Sequence, residues 1–188
     1  NYARQYALDN NLTFLSPYND EEIIAGQGTC GKEIVNHLQD CDAVFVAVGG
    51  GGLISGIAGY MKSKLSNIEI IGCQPEASAV MAHSIESGRI VEVKSGPTLS
   101  DGTAGGIEKD AITFDLCKYL VDYYALISEQ EIIENIQTFL DTHRMLIEGA
   151  AGVALAGFLA NKEKYVGKKV VVVVCGGNIA RKTLASII

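Results

Sequence analysis

Two uninterrupted apolar runs stand out along the chain, Ala43-Val-Phe-Val-Ala-Val48 and the five valines after Lys169, at 170–174. Short, rich in β-branched residues and closed by glycines, they predict strands buried on both faces, as in a parallel sheet. Glu69-Ile-Ile-Gly-Cys73 and Tyr123-Tyr-Ala-Leu-Ile127 predict two more strands, and Leu12-Thr-Phe-Leu15 and Ile90-Val-Glu-Val93 short extended pieces. Between them the spacing turns helical. Helices are predicted over 1–10, over 28–38 with Ile34, Val35 and Leu38 on one face, over 53–64, over 75–87 with Gly88 beyond the end, and over 112–120. Ser128-Glu-Gln-Glu131 has capping-box spacing and opens a helix running to about Arg144. Glu148 begins another, whose small residues suit close approach to a sheet, and a short helix ends the chain. Alternating elements with short connections predict an α/β fold, an open and mostly parallel sheet with helices on both faces.

Gly49, Gly50, Gly51 and Gly52 follow the first apolar run directly. Four glycines continue a strand poorly, because they pack nothing and lose much entropy on ordering. They suit a sharp bend that turns several bare N–H groups, with the start of the next helix, toward one anion. The valine run ends in a second glycine turn, Cys175-Gly176-Gly177-Asn178. Two such strand ends can share one crevice at the carboxyl edge of a parallel sheet. A dinucleotide fingerprint is a poorer match, since counting from Gly50 puts Ser55 in the last glycine place.

Composition narrows the partners. A formal charge of −7 with scattered lysines argues against nucleic acid. No apolar stretch approaches the roughly 20 residues of a membrane span. Five cysteines without CxxC spacing fit free thiols in a reducing compartment, so a cytoplasmic location is expected. His37, His83 and His143 lie on predicted helices without metal-ligand spacing, and Thr29 reads as a helix cap. Ser95–Gly106 is the longest loop; within it Ser100-Asp101-Gly102 reads as a turn.

Ala25-Gly-Gln-Gly-Thr29, Gly49-Gly-Gly-Gly-Leu53, Ser100-Asp-Gly102, Leu146-Ile-Glu-Gly-Ala-Ala-Gly152 and Cys175-Gly-Gly-Asn178 stand in this order. Together they resemble the threonine/serine dehydratase and serine racemase family of fold type II pyridoxal-phosphate (PLP) enzymes. The resemblance implies that Gly49, Gly50, Gly51, Gly52 and the backbone of Leu53 hold the phosphate of pyridoxal 5'-phosphate. It implies that Cys175 faces the pyridine nitrogen, that Glu148 lines the pocket beside the ring, and that Asn178 shapes the turn. A neutral thiol is a weak donor and leaves the ring less electron-poor than a carboxylate partner would, which suits β-elimination.

The implied activity is a threonine/serine ammonia-lyase turning a small hydroxy amino acid into a 2-oxo acid and ammonia. A serine or hydroxyaspartate racemase/dehydratase is the alternative, and a non-catalytic PLP-binding or regulatory module is the alternative of another class. The family's Schiff-base lysine lies in a Ser-x-Lys-x-Arg-Gly-like motif that this sequence lacks, so no catalytic residue is assigned here. With an uncapped helix at its start, the chain is expected to be a C-terminal portion that lacks an N-terminal segment. Residues 1–16 would end the small domain and 17–188 form the large PLP-binding domain. Alone it is expected to be inactive and to self-associate, as a homo-oligomer. The racemase-type metal site needs two carboxylates where this chain has Gln74 and Val80, so no metal is expected.

Overall fold

The computed structural model describes residues 2–188. The chain runs α1 (Tyr2–Asp9), α2 (Glu21–His37), β1 (Ala43–Ala47), α3 (Gly52–Lys64), β2 (Glu69–Pro75) and α4 (Val80–Glu86). It continues through α5 (Ile112–Leu120), β3 (Tyr123–Ile127), α6 (Glu129–His143), α7 (Gly149–Asn161), β4 (Val170–Val172) and α8 (Arg181–Ile187). The four strands form one parallel sheet in the order β3-β2-β1-β4. Ala43 stands opposite Glu69 on one side and Val170 on the other. The α/β class read from the sequence is the one observed.

Side chains alternate across β1 and so feed two cores. Val44, Val46 and Val48 pack with Ile54, Ile57, Met61 and Cys117 on the face covered by α3 and α5. Ala43 and Phe45 pack with Ile71, Cys73, Ile132, Ile136 and Ala151 on the face covered by α6 and α7. Phe45 is fully buried, with Phe158 and Tyr165 edge-on at centroid distances of 5.5 and 5.2 Å. The capping box is formed, Ser128 and Glu131 each bonding the other's backbone N–H.

Several expectations are corrected. Helix α2 begins at Glu21, well before the predicted start near Gly28, because the Asp20 carboxylate accepts from the N–H groups of Glu22 and Ile23. Thr29 therefore lies inside a helix, where its hydroxyl donates to the Gly26 carbonyl at 2.7 Å, and is not a cap. Residues 12–15 and 90–93 join no strand, the sheet being made of β1 to β4 alone among the described residues; Leu12 and Leu15 are exposed. The predicted helix over 75–87 divides into a 3-10 turn, Glu76–Ser78, and α4. The valine run supplies β4, which has one partner among the described residues and is half-buried, not covered on both faces. All five cysteines are free thiols, with Cys41, Cys73 and Cys117 buried.

Candidate functional site

Because β1 and β4 are adjacent and parallel, their carboxyl ends open on the same edge of the sheet. Beyond β1 the chain turns through Gly49–Gly51 into α3. Gly51 is the N-cap and takes a φ of 89°, in the left-handed region that glycine tolerates and other residues resist. No side chain caps this helix. The Gly50 carbonyl accepts the Thr113 hydroxyl of α5 at 2.6 Å. In a planar trans peptide the N–H of Gly51 then points the opposite way, away from α5. Among the described residues, no hydrogen bond leads from the N–H groups of Gly49 through Ile54 to another group of the chain. Six bare donors at the positive end of a 13-residue helix are suited to an anion.

The opposite wall is built around Glu148, which precedes α7. Its carboxylate accepts the backbone N–H of Asn178 at 2.9 Å, and its own N–H donates to the Gly176 carbonyl at 3.1 Å. A side chain on Gly176 would fall on that carboxylate. The turn after β4 is thus fitted onto the start of α7, with Cys175 at its head. Cys175 is exposed to solvent as a residue, yet burial of its thiol pushes the pKa up, and the Glu148 carboxylate adds to the rise. The thiol is neutral at physiological pH.

These walls enclose a cavity of about 330 Å³. It is lined by Gly49, Gly50, Gly51, Gly52, Leu53, Glu148 and Cys175, with Pro17, Tyr18 and the segment 102–106 closing the remaining sides. Asn178 lies outside the lining and reaches the site only through its bond to Glu148. Ser100-Asp101-Gly102 is a turn, with Asp101 Oδ1 accepting the Gly102 N–H, and Gly102 also borders the cavity. Tyr18 and Thr113 are contributions that the sequence reading missed. A larger groove of about 890 Å³ between α2, α3 and α5 presents none of the bare N–H groups and lies away from Cys175. The smaller cavity is the one bordered by both the bare N–H groups and Cys175.

A carboxylate hub holds one rim of this cavity. Glu108 accepts from Arg4 at 2.7 Å, from the Asn19 side chain at 3.0 Å and from Ser16 at 3.1 Å. Its backbone N–H donates to the Tyr18 hydroxyl at 2.9 Å. Burial raises the Glu108 pKa, but the bonds from Asn19, Arg4 and Ser16 together outweigh it and hold the carboxyl below its usual range. A lowered folded-state pKa gives stability that is present above the unfolded value and lost as pH falls through the folded one. Glu108→Gln is therefore expected to cost about 1–2 kcal/mol near pH 7 and less in acid. Urea midpoints from pH 7 down to 3.5 would test this; an equal loss at every pH would refute it.

Gln74, at the end of β2, is also committed. The Gln74 side chain is buried; its Nε2 donates to the Val48 carbonyl at 3.0 Å and its Oε1 accepts the Ala82 N–H at 2.8 Å. Val80 is buried and apolar. Neither residue offers the charged oxygen that a hard cation takes.

Comparison with known proteins places the chain among relatives of one family. Residues 1–176 match the family model described as pyridoxal-phosphate dependent enzyme. The chain is 43% identical over 166 residues to an L-threonine ammonia-lyase of Thermotoga maritima, covering 88% of this chain and 41% of that protein. It superposes on a processed threonine deaminase isoform 2 from Solanum lycopersicum with a TM-score of 0.93 and 34% identity, covering 99% of this chain and 55% of that one. Serine racemase from Dictyostelium discoideum gives a TM-score of 0.85 at 29% identity, covering 95% of this chain and 58% of that one. The chain spans about half the length of the curated relatives it matches. Among the described residues no helix is long and apolar enough to cross a membrane.

Proposed function

From the premise that the chain belongs to the pyridoxal-phosphate dependent enzyme family, with pyridoxal 5'-phosphate as its cofactor, we propose that it is the cofactor-holding part of a threonine/serine ammonia-lyase. The observation that carries this reading is the meeting of six bare N–H groups and a neutral thiol at one edge cavity. The residues fit the cofactor. Gly49–Gly52 and Leu53 hold its phosphate with main-chain donors and the dipole of α3, which need no cationic side chain. Cys175 would offer the ring nitrogen a weak, uncharged donor. Glu148 orders the turn that presents Cys175, with Asn178 as its tie.

Bound there, pyridoxal phosphate supplies a sink for the electron pair left when a substrate's α-proton departs. A thiol in place of a carboxylate moderates that sink and favours prompt loss of a β-hydroxyl. The net change removes the α-proton and the β-hydroxyl from a small hydroxy amino acid, after which water cleaves the C–N bond to leave a 2-oxo acid and ammonia. Among the described residues no lysine lines the cavity, so covalent attachment and α-proton removal fall to a group outside this set. The 188-residue chain alone is accordingly expected to be inactive. Exposed Tyr2, Leu8, Leu12 and Leu15 favour association into a homo-oligomer, and five free thiols favour a cytoplasmic setting.

The test is a steady-state assay of the full-length protein with L-threonine and L-serine. 2-Oxo acid and ammonia in equal amounts are expected, with D-amino acid a minor product. Dominant racemisation would overturn the assignment in favour of a racemase, and ammonia release by the isolated chain would overturn its predicted inactivity.

A further inference from the structure

The glycines of the cup answer to a second constraint, set by Tyr18, which also closes one side of the cavity. A Cβ placed on Gly50 would lie 2.5 Å from Cγ and Cδ1 of Tyr18, and one on Gly52 would lie 2.9 Å from the Tyr18 Cα and Cβ. The Tyr18 ring thus occupies the space a side chain at Gly50 would need, and the Tyr18 backbone and Cβ the space a side chain at Gly52 would need. Tyr18 is itself fixed: its hydroxyl accepts the Glu108 N–H at 2.9 Å. On its flanks Ser16 and Asn19 both donate to the Glu108 carboxylate, and the Asn19 Oδ1 accepts the Ile112 N–H at 2.9 Å. On the far side of the turn, Thr113 ties down the Gly50 carbonyl. Gly50 is gripped between an aromatic ring and a hydroxyl.

We propose that Tyr18 is a positioning residue that braces the glycine cup: its ring sets the Gly50 backbone, while its Cα and Cβ back Gly52, so that the bare N–H groups converge on the phosphate of the cofactor. This rests on the reading of the cup as the phosphate site. It places the brace on a segment upstream of α2 that also borders the cavity through Pro17 and Tyr18. Two consequences follow that a merely stabilising tyrosine would not produce. Loss of the ring weakens binding of the phosphorylated cofactor more than binding of its unphosphorylated analogue. A methyl group at Gly50 is harmful only while the ring is present, because the ring atoms are its nearest obstacles.

The experiment is a double-mutant cycle in the full-length protein, read as dissociation constants of pyridoxal phosphate and of pyridoxal, with urea midpoints of the cofactor-free protein alongside. Gly50→Ala is expected to weaken pyridoxal phosphate at least tenfold in the native background and less than threefold in Tyr18→Ala. Tyr18→Phe keeps the ring, so Gly50→Ala should remain as harmful there as in the native background. Tyr18→Ala alone should reduce the preference for pyridoxal phosphate over pyridoxal at least tenfold. Should Tyr18→Ala fail to fold, Tyr18→Val removes the Cδ atoms and can turn its γ carbons away from Gly50; a Gly50→Ala loss smaller there than in Tyr18→Phe supports the brace, and an equal loss overturns it. Additive effects, or an unchanged preference, would overturn the brace. An unaltered protein that binds pyridoxal as tightly as pyridoxal phosphate would overturn the reading of the cup itself.

Discussion

Gly149→Ala in the full-length protein is expected to lower stability by about 3 kcal/mol, at the upper end of what overpacking costs, and to weaken cofactor binding with it. The added methyl would fall on the Leu99 carbonyl and the Ser100 nitrogen. These are backbone atoms, so no rotamer change relieves the clash. The peptide they belong to is also held in place. The Leu99 N–H donates to Glu129 at 2.8 Å, the Ser100 N–H donates to Thr98 at 3.0 Å, and the buried Ser100 and Thr103 hydroxyls are paired at 2.6 Å. Displacement does not stop there, because Thr103 lies directly against Gly49, where a Cβ would be 3.0 Å from the Thr103 Cα. The strain passes from the start of α7 to the glycine turn at Gly49. A urea midpoint unchanged from the native protein, with the same slope, would refute this account of the packing.

Gln74→Glu is expected to cost a comparable amount, about 3 kcal/mol at pH 8, and to do so with a definite pH dependence. The native amide donates to one backbone group and accepts from another. An ionised carboxylate can only accept, so it would face the Val48 carbonyl with no proton between them. Burial and that carbonyl both raise the folded pKa above the unfolded value of about 4.3. A raised carboxylate pKa means stability that is present below the unfolded value and lost as pH rises toward the folded one. The protonated acid can still donate to Val48, so the variant should approach native stability near pH 4 and diverge above it. Urea midpoints at pH 4.5, 6 and 8 would measure the trend. A loss that is constant, or that shrinks with rising pH, would show that the amide does not bridge these strand ends.

What was legible in the sequence was legible for local reasons. A strand that stops in four glycines and a valine run that stops in Cys-Gly-Gly declare their turns within a few residues, and adjacency of the two strands brings the turns together. The start of α2 was also signalled, by Asp20 before two glutamates, but the glycines at 26, 28 and 31 lower helix propensity by roughly 1 kcal/mol each and hid it. Close packing overrides that deficit: a Cβ on Gly28 would already be 3.3 Å from the Gly56 carbonyl of α3. The contacts of Tyr18 and Thr113 with the cup had no local signal. Each joins segments far apart in the chain, and an aromatic in a Ser-Pro-Tyr turn looks the same whether or not glycines lie beneath it. Five consecutive valines likewise read identically at the centre of a sheet and at its edge.

The pairing of β1 with β4 has a consequence for the order in which the molecule assembles. The unit from β1 through α3 to β2 closes over a short stretch and can form early, with the cup already bent. The opposite wall arrives only when β4, from near the far end of the chain, finds β1. Such long-range parallel pairing is among the slower events in folding, because a long loop must close before its contacts gain anything. The complete cavity exists only in the finished sheet, and a ligand that binds only there adds stability by mass action. Pyridoxal phosphate is therefore expected to act as a seal on the assembled sheet, not as a template for it, and its uptake during refolding to follow the pairing of β4 with β1.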